Sequence, residues 1–147
     1  MSKTLIVYFS LSGNTENMAQ YMSEGVRFSG NEVTVKKSSA IKSAEELDGY
    51  DGYIFGSPTY YLDIAEPMKT FLFLAKKANL EGKLAGAFGS YTHDGSAPKL
   101  IMDTMQYVFK MEPFNLGPFN LVEAKVSTTE GMRACQDYGK AFAESLK

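Results

Sequence analysis

The sequence predicts an α/β fold in which helices sandwich a parallel sheet. Three observations carry this. Short apolar runs rich in β-branched and aromatic residues recur along the chain, segments with amphipathic-helix spacing separate them, and the connections are short. The order reads βαβαβαβαβα. Right-handed crossovers leave few topologies for such a chain. In these sheets a ligand sits beyond the carboxyl ends of the strands, where the strand order reverses.

The strands are expected at Thr4 to Phe9, Glu32 to Lys37, Gly52 to Gly56 and Leu84 to Ser90, with a fifth, interrupted one between Phe114 and Val126. A continuous run such as Leu5-Ile6-Val7-Tyr8-Phe9 suits a strand covered on both faces. The first helix should run from Thr15 to near Phe28, because Met18, Met22 and Val26 recur at intervals of four and form one stripe. Met68, Phe71, Leu72 and Ala75 mark a second apolar face, and Ile101, Met105 and Val108 a third. In the last helix Met132, Cys135, Gly139, Phe142 and Leu146 fall at intervals of three and four, which places Cys135 in the core as an inert packing residue.

At 147 residues the chain has the size of one globular domain, expected to span 1–147. It contains no apolar stretch near the ~20 residues a membrane span needs, so no membrane partner is expected. The start, Met1-Ser2-Lys3-Thr4, runs directly into the short apolar segment Leu5 to Phe9 without the pattern of a secretory signal, and the expected location is cytoplasmic. A single cysteine, Cys135, excludes a disulfide framework and a cysteine-ligated metal cluster within one chain, and a single histidine, His93, excludes histidine-rich metal sites. No metal is expected. A formal charge of -2, with only Arg27 and Arg133 among the fifteen basic residues, gives no electrostatic footprint for nucleic acid.

Three loops at the predicted ligand edge hold the chemistry. The first is Ser10-Leu11-Ser12-Gly13-Asn14-Thr15, between the first strand and the first helix. It brings three hydroxyls, an amide, a flexible glycine and the free N–H groups of a helix N-terminus to one point, which is a cradle for a phosphate. It lacks the lysine of the G-x-x-x-x-G-K-[ST] loop and is not the G-x-G-x-x-G fingerprint. The bland alternative is that these side chains merely cap the helix. The second loop, Gly56-Ser57-Pro58-Thr59-Tyr60-Tyr61-Leu62-Asp63, leaves the sheet at a stiff proline and offers two tyrosine faces to a planar ring. The third, Gly89-Ser90-Tyr91-Thr92-His93-Asp94-Gly95, adds an aromatic ring, an imidazole, hydroxyls and backbone donors at the same edge, the opposite wall of a slot.

Together these loops resemble the flavodoxin family, including the flavodoxin-like domains of flavodiiron proteins. The first is similar to the family's FMN-phosphate loop through Ser10, Ser12, Gly13, Asn14 and Thr15. Gly56 to Tyr60 resembles the Gly-Ser-Pro-Thr-Tyr form of the loop on one side of the isoalloxazine ring. Phe88-Gly89-Ser90-Tyr91 is similar to the start of the loop on the other side, and Cys135 to Ala143 resembles the last helix. The resemblance implies a flavodoxin-like three-layer sandwich, a five-stranded parallel sheet in the order 2-1-3-4-5, and one FMN per chain. The implied contacts are Ser10, Leu11, Ser12, Gly13, Asn14, Thr15, Pro58, Thr59, Tyr60, Tyr61, Ser90, Tyr91, Thr92, His93 and Gly95. No side chain is expected to act as a catalytic group, since the flavin carries the redox chemistry.

Three departures from the family pattern stand out. The chain has no tryptophan. Its pocket loops carry only Asp63 and Asp94, less than the usual acidic rim. No glycine lies between Pro58 and Asp63, where many members use one to turn a peptide toward the flavin, so such a turn is disfavoured here. The function expected is electron carriage by FMN between redox partners, a reductase or ferredoxin-like donor and an acceptor, in a monomer or weak dimer. The alternative is an FMN-dependent NAD(P)H or quinone oxidoreductase of the same fold, although no nicotinamide site is marked. A receiver module is excluded by Gly56 and Ser57 standing where a phosphorylatable aspartate is needed.

Overall fold

The computed structural model describes residues 1–146; Lys147, the last position of the expected domain, lies outside the described residues. Five strand positions form one parallel sheet. β1 (Lys3–Tyr8) lies between β2 (Glu32–Lys37) and β3 (Gly52–Gly56), and β4 (Leu84–Tyr91) follows β3. The fifth position is filled by two pieces parallel to β4, β5 (Glu112–Pro113) against Leu84 and Ala85, and β6 (Phe119–Val122) against Phe88 to Tyr91. The strand order is therefore 2-1-3-4-5, as expected, with the last position split.

Alternation along the strands builds two cores. Leu5, Val7, Tyr53, Phe55, Ala85 and Ala87 face α2 (Glu66–Ala75) and α3 (Ser96–Asp103), whose Met68, Phe71, Leu72, Ala97 and Ile101 complete that layer. Ile6, Tyr8, Ile54 and Phe88 face α1 (Asn14–Phe28) and the last helix, where Met18, Met22, Cys135, Tyr138 and Phe142 meet them. A one-turn helix, α4 (Glu123–Val126), leads into that last helix, α5 (Thr129–Glu144). Burial pushes the Cys135 thiol up to about 12, so at neutral pH it is a protonated, apolar packing group. Among the described residues, no helix is long and apolar enough to cross a membrane.

Three local expectations are corrected. No α-helix joins β2 to β3; that connection is two 3₁₀ turns, Ser38–Ala40 and Ala44–Leu47. Only Ile41 and Leu47 of this segment are buried apolar residues, too few to hold a helical stripe on the sheet. The fifth strand begins at Glu112, before Phe114, and ends at Val122, where α4 takes over. Val108 does not face the core. The chain widens into a π turn over Thr104–Val108, which leaves Val108 49% exposed and puts Phe109 inward.

α1 and α5 approach closely through glycines. A Cβ on Gly139 would stand 2.1 Å from the Met22 carbonyl oxygen, and one on Gly25 would stand 1.9 Å from that of Gln136. Neither backbone can yield without moving its helix. Gly139→Ala should destabilise the protein by about 1–3 kcal/mol through overpacking, despite the ~1 kcal/mol that alanine gains over glycine in a free helix. Urea unfolding of the two forms checks the sign; a more stable variant would contradict the close packing.

Candidate cofactor site at the carboxyl edge

β1 ends beside β3, and the Phe9 N–H still donates to the Gly56 carbonyl at 3.1 Å before the chain turns away. The turn ends at Gly13, the residue that caps α1, with φ 96°. That left-handed value suits glycine, and no atom would meet a Cβ there, so backbone conformation alone selects the residue. No side chain caps the helix. The hydroxyls are arranged around its mouth. Ser10 Oγ accepts from the Gly13 N–H at 3.1 Å, Ser12 Oγ accepts from Asn14 Nδ2 at 3.1 Å, and Thr15 Oγ1 lies 3.0 Å from Ser90 Oγ. Leu11 and Ser12 are exposed. The capping alternative is therefore not what this loop does: its first-turn N–H groups keep their donor capacity.

The second and third loops form a slot of about 380 Å³, with Thr59, Tyr60, Tyr61 and Leu62 on one side and Thr92, His93 and Asp94 on the other. Gly89 makes their approach possible, since a Cβ there would stand 2.2 Å from the Ser57 carbonyl oxygen. Further bonds brace the loops. Thr59 Oγ1 accepts from the Ala97 N–H at 2.9 Å at the start of α3, and Asn120 Nδ2 donates to the Gly95 carbonyl at 2.8 Å. Asp94 accepts from the Ser96 N–H at 2.9 Å.

The second loop is a hairpin, Thr59–Tyr60 against Asp63–Ile64, closed by two residues. Both turn residues have positive φ, 51° at Tyr61 and 64° at Leu62. Such turns favour Asn-Gly, and a side chain in this region costs on the order of 1 kcal/mol. Asp63 anchors the hairpin by pairing with Lys69 of α2, and it accepts from the Ile64 N–H at 2.7 Å. The hydrogen bond from Lys69, then that backbone N–H, holds the Asp63 carboxyl below the usual carboxylate range.

Of the sequence-predicted residues, the loop from Ser10 to Thr15 gathers at one helix mouth, and Thr59, Tyr60, Tyr61, Thr92 and His93 share the slot. Pro58 and Ser90 are buried, Tyr91 is half-buried, and Gly95 packs on Asn120, where a Cβ would meet the amide at 2.9 Å. Three neighbours were not foreseen. Phe9 lines a hollow with Tyr60 and Tyr61. Asn120 braces the third loop from 25 residues away. Glu123 is the third: after burial, the larger cause, its charge raises the Tyr60 hydroxyl above the usual tyrosine value. No local motif marks Asn120 or Glu123, because only sheet pairing brings them near.

Comparison with known proteins supplies the family. The profile described as "Flavodoxin domain" matches residues 5–120. The chain belongs to the flavodoxin family. It is 42% identical over 89 residues to a flavodoxin of Clostridium saccharobutylicum, covering 60% of this chain and 55% of that protein. It is 30% identical over 146 residues to a diflavin flavoprotein of Synechocystis sp., covering 97% of this chain and 24% of that protein. The chain thus spans about half or less of the length of these relatives. Among solved structures, a flavodoxin from the domain Archaea superposes with a TM-score of 0.87 at 29% identity, covering 98% of both chains. The oxidised flavodoxin 1 of Bacillus cereus gives 0.84 at 25% identity, over 99% of this chain and 100% of that one. Members of the family bind FMN and transfer electrons, and FMN is the cofactor of this flavodoxin-family domain.

The strained hairpin carries its own test. Replacing Leu62 by glycine removes a left-handed side chain that is 66% exposed and packs little. The hairpin should gain a few tenths to about 1 kcal/mol after glycine's entropy cost. Slower amide hydrogen exchange at Tyr60 and Asp63 in Leu62→Gly is the expected readout; faster exchange would contradict it.

Proposed function

We propose that this domain holds FMN with its phosphate in the Ser10–Thr15 loop and its ring in the slot between Tyr60 and His93, and that it carries electrons between separate redox partners. The observation that supports this best is the uncapped N-terminus of α1, ringed by Ser10, Ser12 and Thr15. When bound, FMN supplies reversible acceptance of electrons at its ring. The chain's own groups then have three tasks.

The first is to bind a dianion without a cation, since no lysine or arginine lies between Ser10 and Thr15. Backbone N–H groups and hydroxyls provide the donors, and the helix dipole favours the charge. Glu16, in the first turn, is occupied elsewhere: its carboxylate accepts from the Tyr8 hydroxyl at 3.1 Å. The second is to exclude water from the ring, for which Phe9, Tyr60 and Tyr61 offer apolar faces. The third is to leave a ring edge open to a partner. Leu11, Tyr61 and Leu62 are strongly exposed around the site, an apolar rim suited to transient docking. A reductase or ferredoxin-like protein is the donor this reading calls for, with the domain working as a monomer or weak dimer in the cytoplasm.

Two measurements test the reading. Ser12→Ala removes a hydroxyl that would donate to a charged oxygen, worth about 1.5–3 kcal/mol, and should weaken FMN at least tenfold with the fold intact. Unchanged affinity, read by quenching of flavin fluorescence, would move the phosphate elsewhere. The holoprotein should oxidise neither NADH nor NADPH with a quinone acceptor unless a reductase is added; rapid turnover by the domain alone would make it an oxidoreductase instead.

A further inference from the structure

Thr15 and Ser90 are 75 residues apart in sequence, yet Thr15 Oγ1 and Ser90 Oγ lie 3.0 Å apart. Each residue is only 1% exposed. Every hydroxyl brings one hydrogen and two lone pairs. Two hydroxyls joined by one bond spend one hydrogen and leave the other over. Neither oxygen has another protein partner among the described residues. The pair therefore holds one surplus donor that no other group of the described residues accepts, a costly arrangement for buried side chains unless something else accepts it.

Which oxygen keeps the surplus hydrogen depends on which hydroxyl donates to the other. Thr15 belongs to the first turn of α1, in the mouth of the cradle, whereas Ser90 belongs to β4. We propose that Ser90 donates to Thr15 and thereby turns the Thr15 hydrogen into the cradle, which makes Ser90 a positioning residue for the phosphate. Its side chain then acts through Thr15 and is not itself a contact to the ring. A donor whose oxygen already accepts a bond is also the stronger donor, since hydrogen bonds in a chain polarise one another. The same bond ties the phosphate loop to the root of the ring loop, so the two halves of the site are held in register by one buried pair.

This inference rests on the phosphate reading of the Ser10–Thr15 loop, and the test separates the two. The apoprotein is titrated with FMN and with riboflavin, which lacks the phosphate, and the ratio of the two dissociation constants is read. In S90A and S90C, which remove or weaken the donor, the preference for FMN should fall about three- to tenfold while riboflavin affinity stays within about twofold. On a T15A background, S90A should lower the preference no further. An unchanged ratio in both serine variants overturns the proposal, and so does equal weakening of both ligands, the mark of a purely structural serine. A wild-type protein with no preference for FMN over riboflavin overturns the phosphate reading and this inference with it. An independent check uses the unmodified holoprotein: scalar coupling to phosphorus across a hydrogen bond is expected from the Thr15 hydroxyl proton, and coupling from that of Ser90 would overturn the assignment.

Discussion

A helix that begins at the carboxyl edge of a parallel sheet, with its first N–H groups uncommitted, is the constraint on which the rest of this molecule depends. Gly13 creates it: at φ 96° the chain reverses and α1 starts without a capping side chain. Those donors would be a liability in a buried place. At the sheet edge, beside Ser10 and Ser12, they are available to an anion without any cationic residue, which is what the proposed phosphate site uses.

The scaffold serves that edge by keeping three loops close. β1, β3 and β4 run side by side in parallel, so the loops that follow them leave the sheet together. Glycine decides how near they come, as at Gly89 against the Ser57 carbonyl. The two cores behind them differ in how they close. α2 and α3 meet the sheet through methionine, phenylalanine and leucine, whereas α1 and α5 also meet each other at Gly25 and Gly139, with backbone against backbone. On the face that carries the Ser10–Thr15 loop, helix thus meets helix backbone to backbone, and a firmly held α1 is what the proposed anion site would require.

The Thr59–Ile64 hairpin on the other side is built differently. It holds two side chains in the left-handed region, and the Asp63–Lys69 pair at the surface anchors it. Tyr61 and Leu62 consequently stand out from the surface beside the slot. Close helix packing behind the Ser10–Thr15 loop and an exposed, strained hairpin at the slot are the division that the proposed electron carrier would use.

Much of this was legible before the structure. The unbroken apolar run Leu5 to Phe9 foretold a strand covered on both sides, and intervals of four foretold the stripe of α1, because each signal is local to its element. The tertiary structure alone decided the rest. Two buried apolar residues were too few to make a helix between β2 and β3, a π turn rotated Val108 out and Phe109 in, and the Thr15–Ser90 bond and the Asn120 brace arose between segments far apart in sequence. By itself the sequence determined the first four strands, the helices at 14–28, 66–75 and 129–144, and the side chains each loop offers, since these follow from neighbouring residues. Which hydroxyl meets which, and which donor is left free for a ligand, depends on strand pairing and layer packing, and those exist only once the chain has closed on itself.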